Sequence, residues 1–210
     1  MNVLPTRDYS ARLVSYVNAH SRKVMNWALV LATPALVLMF LMSETKLYLD
    51  FRVYLMGAHH LTDPNLYLQR TSFRPHLPFT YPPIATLFFY PFTFLPFRIA
   101  SFLWTLLNVL SLCGIISTTL GLVRRDLSIP GRRALTVALI TPAFFLEPIW
   151  QNFHFGQVNL VLGLLILWDV LGRSRHVPHG AMVGLAAAIK LVPGIFIIYF
   201  ALQRLSLIHI

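Results

Sequence analysis

The chain alternates long apolar runs with short basic clusters, and this pattern requires a fold that is embedded in a membrane. A helix needs roughly 20 apolar residues to cross the hydrocarbon, and several runs approach or exceed that length. Of the 210 residues, 57% are hydrophobic and 11% are charged, whereas a soluble domain carries about 25% charged residues. Too few polar side chains are present to coat a water-soluble globule. We therefore predict an all-α integral membrane protein with the lipid bilayer as part of its solvent.

The net charge of +10 lies in short clusters between the apolar runs. Lys and Arg in short loops stay on the cytoplasmic side and so set the topology, which argues against nucleic-acid binding as the reason for the charge. Residues 1–24 carry Arg7, Arg12, Arg22 and Lys23. They are predicted to be a cytoplasmic N-terminus, followed by a multi-pass body in the cell membrane.

About five spans follow from the lengths of the apolar runs. They are Met25–Ser43, Ile99–Leu122, Ala134–Ile149, Val158–Leu171 and Gly180–Leu202. Lys190 and Pro193 interrupt the last run. The sequence leaves open whether that run crosses once or folds back.

Thr80–Pro96 is apolar, but four prolines divide it. Apolar runs this short are interfacial or re-entrant, so we predict an interfacial helix in the first outer loop. The parity of the basic clusters agrees, because Arg124 and Arg125 are cytoplasmic only if this segment does not cross. Polar residues outside then fall in two loops, Glu44–Pro78 and Glu147–Asn159, where function is expected.

The last six residues, 205–210, match an in-frame translation of a transposon end used to fragment DNA for sequencing. We interpret them as a sequencing-adapter artefact. The alternative is an ordinary apolar helix end. On the first interpretation, residues 25–204 are the N-terminal part of a longer transmembrane domain.

Asp50 is the first candidate for chemistry, because it lies among aromatic and aliphatic neighbours just beyond the first span. Partial desolvation raises the pKa of a carboxylate and strengthens it as a base. The alternative is that Asp50 only pairs with Arg52 or another polar group at the membrane surface.

The second outer loop concentrates polar side chains within thirteen positions. They are Glu147, Asn152, His154, Gln157 and Asn159, with Gln151 among them. Amides and an imidazole beside a membrane helix suit hydroxyl-rich ligands such as sugars. They equally suit a loop that caps helices.

Lys190 lies between Ile189 and Leu191, near the middle of an apolar run. A charge there is costly and usually faces a polar cavity that serves function, where it could neutralise a lipid phosphate. The alternative is that the side chain snorkels to an interface. His59 and His60 are adjacent and point in different directions on a helix, and no zinc, haem or nucleotide motif is present, so no metal or cofactor is predicted.

Five blocks of sequence together resemble glycosyltransferase family 87. In chain order they are Asp50-Phe51-Arg52-Val53-Tyr54 with Asn65-Leu66-Tyr67, then Phe79-Thr80-Tyr81-Pro82-Pro83-Ile84-Ala85, Glu147-Pro148, Gly156-Gln157-Val158-Asn159, and the run from Gly184 to Pro193. The blocks cover roughly residues 46–200. Each is weak alone, whereas the set in this order is specific.

The resemblance implies a multi-span helical bundle of the GT-C type, with its active site facing away from the cytoplasm. It further implies transfer of a sugar, typically mannose, from a polyprenyl-phosphate-linked sugar donor to an envelope glycolipid or glycan acceptor. Transfer is expected to be inverting, with Asp50 as the catalytic base and no metal. Arg52, Tyr54 and Tyr81 are then expected to bind substrate beside the polar residues of the second loop, and Lys190 to hold the donor phosphate.

Other functions stay open on the sequence alone. Related chains transfer arabinofuranose by the same fold. A transporter or flippase shares interrupted helices and a buried charge, although two matching halves are not seen, and a non-catalytic scaffold would make Asp50 replaceable. Family chains are considerably longer than this one, so later spans would be missing and this part can be inactive by itself.

Overall fold

In a computed structural model of the protein, residues 6–43, 48–171 and 177–202 are described. Regular structure in these ranges is helical, with a single isolated β-bridge between Arg70 and Pro78. The helices are α1 (Thr6–Ala19), α2 (Ser21–Ser43), α3 (Leu49–His59), α4 (Ile84–Phe89), α5 (Phe97–Val123), α6 (Ile129–Phe144), α7 (Glu147–Phe155), α8 (Asn159–Val170), α9 (Ala181–Ile189) and α10 (Ile195–Leu202). The prediction of an all-α membrane protein is confirmed.

Two helices of the described ranges are long and apolar enough to cross a membrane by themselves: α2, with 23 residues, and α5, with 27. At a rise of about 1.5 Å per residue each exceeds the roughly 30 Å of the hydrocarbon core. They coincide with the first two predicted spans. However, α2 begins at Ser21, so part of the predicted cytoplasmic N-terminus belongs to this helix, and α1 precedes it.

The later spans are shorter than predicted. The described residues hold two candidate spans, or up to three if α6 and α7, which meet at a bend of 82°, are one. With 12, 9 and 8 residues, α8, α9 and α10 are each too short to cross as one helix. Gly180–Leu202 is broken, because Pro193 cannot continue a helix across the carbonyl group of Ile189.

The predicted outer loop Glu147–Asn159 is largely a helix, which corrects the prediction. Pro148 occupies the first turn of α7, where its missing N–H group is harmless. Gly156 ends the helix with a left-handed backbone, φ 69°. By contrast, Thr80–Pro96 holds α4 and a 3-10 turn, Tyr90–Phe94, and is too short to cross, as predicted.

The helical body has two opposite ends. At one end, Arg124 donates a hydrogen bond to the backbone oxygen of Ser10 (3.0 Å), and Asn18 donates to the backbone oxygen of Asp126 (2.9 Å). This basic end therefore joins α1 to the turn after α5. At the other end, Trp104 of α5 packs on Phe51 of α3. About 20 residues of α5 separate the two ends, which corresponds to roughly 30 Å.

Aromatic side chains fix α3 against α4 and α5. Phe51 stacks on Trp104 with ring centroids 5.4 Å apart, and Tyr54 stacks on Phe89 at 4.3 Å. All four side chains are fully buried. Buried aromatic pairs contribute about 0.5–1.5 kcal/mol each beyond their burial, so α3 has one well-defined orientation on the bundle.

The N-terminus of α9 is capped from a different helix. Gly180 precedes α9 and has no side chain to accept the free N–H groups. Instead, the buried carboxylate of Asp169 in α8 accepts hydrogen bonds from the backbone N–H groups of Gly180 and Val183, both at 2.8 Å. This contact joins α8 to α9 and so helps to position α9, the helix that Lys190 directly follows.

We expect Asp169→Asn to lower the free energy of unfolding by about 1–3 kcal/mol, because one carboxylate oxygen becomes an NH2 donor that faces a buried N–H donor. The shift appears as a lower thermal unfolding temperature of the detergent-solubilised protein. Asp126→Asn is the matched control, since its carboxylate is exposed and pairs with Arg124 at the surface. Equal unfolding temperatures for the two variants would contradict the capping role.

Candidate active site

Asp50 lies in the first turn of α3, where a carboxylate is favoured by the helix dipole. The residue before this helix, Tyr48, is anchored by a buried hydrogen bond between its hydroxyl and that of Thr105 in α5 (2.9 Å). The Asp50 side chain is half-buried, so solvent or a ligand can reach it. Burial raises the pKa of Asp50, whereas a hydrogen bond from Gln157 and the positive charge of Lys190 lower it. The net direction is upward.

Hydrogen bonds connect Lys190 through Asn159 to Gln157, which lies beside Asp50, and we call these four residues the polar chain. The Lys190 ammonium donates to Asn159 Oδ1 (2.9 Å), and Asn159 Nδ2 donates to Gln157 Oε1 (2.7 Å). The Gln157 side chain in turn lies beside the Asp50 carboxylate and lowers its pKa. An ammonium can only donate and a carboxylate can only accept, so the two ends fix the orientation of both amides.

Local breaks in the backbone deliver these side chains to one place. Gly156 turns the chain between α7 and α8, and Gln157 and Asn159 follow it directly. Lys190 has an extended backbone between α9 and the 3-10 turn Val192–Gly194. The extended conformation lets its side chain reach Asn159, whereas a continuous helix would direct it elsewhere.

Tyr54 and Tyr81 form an aromatic wall beside the polar chain. Tyr54 lies one turn after Asp50, on the same side of α3, and its ring meets the edge of Tyr81 at 4.8 Å. The Lys190 ammonium lies 6.0 Å from the centre of the Tyr81 ring. Burial raises the pKa of both tyrosines, and the negative charge of Asp50 acts in the same direction. The Tyr54 hydroxyl is fully buried, beside the Tyr81 side chain and the backbone of Val158.

An apolar groove of about 310 Å³ begins at the other end of the polar chain. Asn159 and Lys190 are its polar members, and the rest of the lining comes from α8 and from the segment that starts the last helix. Its walls are formed by Leu162, Gly163, Ile166, Val192, Pro193, Ile195 and Phe196. The groove therefore offers one cation at the end of an apolar surface.

Several residues predicted to bind substrate lie elsewhere. The buried Asn152 donates to Asn108 Oδ1 (2.8 Å) and accepts from the backbone N–H of Leu160 (3.4 Å), so its amide joins α5, α7 and α8. His154 stacks on Trp150 at 6.2 Å, and Glu147 is exposed at the start of α7. None of the three belongs to the polar chain.

Arg52 faces away from Asp50. Its guanidinium lies 3.8 Å from the ring centre of Phe97 and 5.8 Å from that of Phe73. Burial lowers the pKa of Arg52. No ion pair between Arg52 and Asp50 is present among the described residues, so the part of the alternative that names Arg52 finds no support, whereas Gln157 is a polar group beside Asp50.

Trp104 is the residue that the sequence analysis missed. Its indole N–H donates to the backbone oxygen of Gly156 (2.9 Å), which fastens the α7–α8 turn to α5. Trp104 occurs within a long apolar run and has no neighbouring polar pattern. A sequence signal for this role is therefore lacking.

The glycosyltransferase family 87 model matches residues 79–206. Two relatives are polyprenol-phosphate-mannose-dependent alpha-(1-2)-phosphatidylinositol mannoside mannosyltransferases. The one from Mycolicibacterium smegmatis is 39% identical over 180 residues, covering 78% of this chain and 40% of the relative. The one from Mycobacterium tuberculosis is 38% identical over 180 residues, covering 78% of this chain and 42% of the relative.

A third relative, from Mycolicibacterium smegmatis, is a polyprenol-phosphate-mannose-dependent alpha-(1-2)-phosphatidylinositol pentamannoside mannosyltransferase. It is 37% identical over 161 residues, covering 73% of this chain and 37% of the relative. The chain thus spans about two fifths of the length of these relatives. No solved structure matches it significantly. On the extent of the family match, the chain belongs to glycosyltransferase family 87.

Proposed function

We propose that the protein is a membrane hexosyltransferase that moves mannose from a polyprenyl-phosphate donor to a glycolipid of the cell envelope. The observation that carries the proposal is the polar chain, which joins a half-buried carboxylate to an ammonium at the mouth of an apolar groove. The names of the relatives support mannose as the sugar and a phosphatidylinositol mannoside as the kind of acceptor.

The apolar groove receives the first isoprene units of the donor, and Lys190 binds its phosphate. A prenyl phosphate has a long apolar tail next to a compact anion. The groove matches it, with apolar walls for the tail and the Lys190 ammonium for the anion. A charge-assisted hydrogen bond from the ammonium stabilises the phosphate most when it leaves with extra negative charge. The prenyl chain arrives sideways through the bilayer, so membrane embedding serves the reaction.

Asp50 acts as the base for the acceptor. It removes the proton from an acceptor hydroxyl, the oxygen forms a bond to the anomeric carbon, and the bond from that carbon to the phosphate oxygen breaks. Polyprenyl phosphate leaves with the electron pair, and the configuration inverts because attack and departure occur on opposite faces. Tyr81 flanks the sugar, whereas Tyr54 is fully buried, packs against the Tyr81 ring and stays a predicted substrate-binding residue.

Gln157 and Asn159 position the two charged groups, and their binding of substrate stays a prediction. Glu147, Asn152, His154 and Arg52 stay predictions as substrate-binding residues, since their contacts lie outside the polar chain.

The active site faces outward from the cell membrane, with the N-terminus in the cytoplasm. The basic end of the bundle carries Arg124 and Arg125, and such clusters stay inside. Asp50 lies at the opposite end, about one membrane thickness away.

We expect Asp50→Asn to lower mannose transfer by about 10²–10⁴-fold, because the amide keeps the shape of the carboxylate but cannot take a proton. The measurement is transfer of labelled mannose from a polyprenyl-phosphate donor to glycolipid, in membranes that contain the full-length protein. Asp63→Asn is the matched control, since that carboxylate holds a turn through Asn65 N and Gln69 Nε2, both at 2.8 Å. Retained activity in Asp50→Asn at normal expression would refute the base assignment.

We expect Lys190→Met to raise the KM for the donor about tenfold or more, the effect of losing one hydrogen bond to a charged group. The acidic limb of the pH profile of kcat/KM should also move to higher pH. Lys190 lowers the pKa of Asp50, so its removal raises that pKa, and a base must be deprotonated to act. Lys23→Met is the control, and an unmoved acidic limb would contradict the electrostatic link.

We expect a cysteine at Thr62 to react with an impermeant thiol reagent in intact cells, and one at Arg125 to react only after lysis. Both side chains are exposed, and they lie on opposite sides of the predicted membrane. The background is Cys113→Ala, which removes the native thiol of α5. The reverse pattern of labelling would overturn the orientation.

A further inference from the structure

A second cavity, of about 480 Å³, lies on the side of α3 that faces away from Asp50. Successive residues of a helix are about 100° apart, so the Arg52 side chain leaves α3 roughly opposite to that of Asp50. His59 and His60 continue the same wall at the end of the helix. The loop that follows α3 closes the cavity with residues 70–73, and Phe97 at the start of α5 forms its floor.

The two charged side chains that line this cavity are both cations. Arg52 and Arg70 contribute guanidinium groups, and His59 and His60 contribute imidazoles. None of the described lining residues is acidic. Two arginines that share a cavity without a carboxylate repel one another, which an anionic ligand would relieve.

The Arg52 guanidinium is available for a ligand. It rests flat on the Phe97 ring, and it makes no hydrogen bond or ion pair to the described part of the chain. Its five N–H donors match the oxygens of a phosphate in pairs. Arg70 uses one N–H group on the backbone oxygen of His76 (3.3 Å), which leaves its other donors free to turn inward.

The remaining walls are apolar. Leu55 and Met56 of α3, with Phe73 and Phe97, lie beside the cations. A free inorganic anion would gain nothing from such walls, whereas a lipid headgroup brings its glycerol and first methylenes along with the phosphate. The cavity lies on α3, at the end of the bundle that is proposed to meet the outer membrane surface.

We propose that this cavity binds the phosphate of an anionic membrane lipid, as a site separate from the polar chain. The Arg52 and Arg70 guanidinium groups hold the phosphate oxygens, and Phe73 and Phe97 pack against the apolar part of the headgroup. The bound lipid fixes the far side of α3, the helix that presents Asp50. The site does not depend on the proposed sugar transfer, because lipid binding is measured without any reaction.

The test is native mass spectrometry of the full chain in detergent, with phosphatidic acid or phosphatidylcholine added separately. We expect phosphatidic acid to be retained in preference to phosphatidylcholine. The double variant Arg52→Gln with Arg70→Gln should lower its affinity about tenfold or more, since each loses hydrogen bonds to a charged group. Arg125→Gln is the matched control, an exposed arginine at the basic end, and should bind as the native chain does.

An unfolding temperature equal to that of the native chain would establish that the double variant is folded. If the double variant does not fold, Arg70→Gln alone, at an exposed position, provides a second measurement of lipid affinity. Unchanged retention of phosphatidic acid in both variants would overturn the proposal. Loss of retention in Lys190→Met instead would assign the lipid to the apolar groove and also overturn it. Displacement of the lipid by an equal concentration of inorganic phosphate would show an anion site without lipid preference, contrary to the proposal.

Discussion

The close approach of Gly156 to α3 holds the two halves of the candidate site together. A Cβ atom at this position would lie 2.8 Å from Tyr48 Cζ and 2.9 Å from Phe51 Cβ, and the backbone has φ 69°, so only glycine fits without strain. The Gly156 carbonyl accepts the buried hydrogen bond from Trp104. Because Trp104 also stacks on Phe51, α3, α5 and the α7–α8 turn are fixed at a single point.

The contact between Gly156, Phe51 and Trp104 also brings the polar side chains of the site together. Asp50 precedes Phe51 and Gln157 follows Gly156, so the contact that packs the backbones also brings a carboxylate and an amide together. Lys190 enters from a different direction, through the break that Pro193 imposes on the last apolar run. The site therefore consists of side chains at helix ends. There the backbone leaves the helical conformation, and side chains can point in directions that a helix interior does not allow.

The sequence predicted the residues of the polar chain more accurately than the lengths of the helices. Asp50, Gln157, Asn159 and Lys190 stand out as polar groups within apolar sequence, and such groups have few reasons to be there except contact with each other or a ligand. Hydropathy alone could not detect the 82° bend between α6 and α7, because it reports composition and not the direction of a helix axis. It also could not separate Asn152, which joins three helices in the core, from Gln157, since both are amides in one polar stretch. The GT-C topology and the membrane orientation stay predictions.

The length of the polar chain has a physical consequence for the proposed base. A direct ion pair between Asp50 and Lys190 would depress the pKa of the carboxylate strongly and occupy the ammonium. Instead, two amides lie between the charged groups, with hydrogen bonds of 2.7 and 2.9 Å. The amides transmit part of the stabilisation, and the added distance weakens the Coulomb attraction between the carboxylate and the ammonium. Burial then outweighs the opposite charge, and the pKa of Asp50 is raised. The raised pKa agrees with the proposed role of Asp50 as the base, and the remaining N–H donors of Lys190 agree with the proposed binding of a phosphate at the groove.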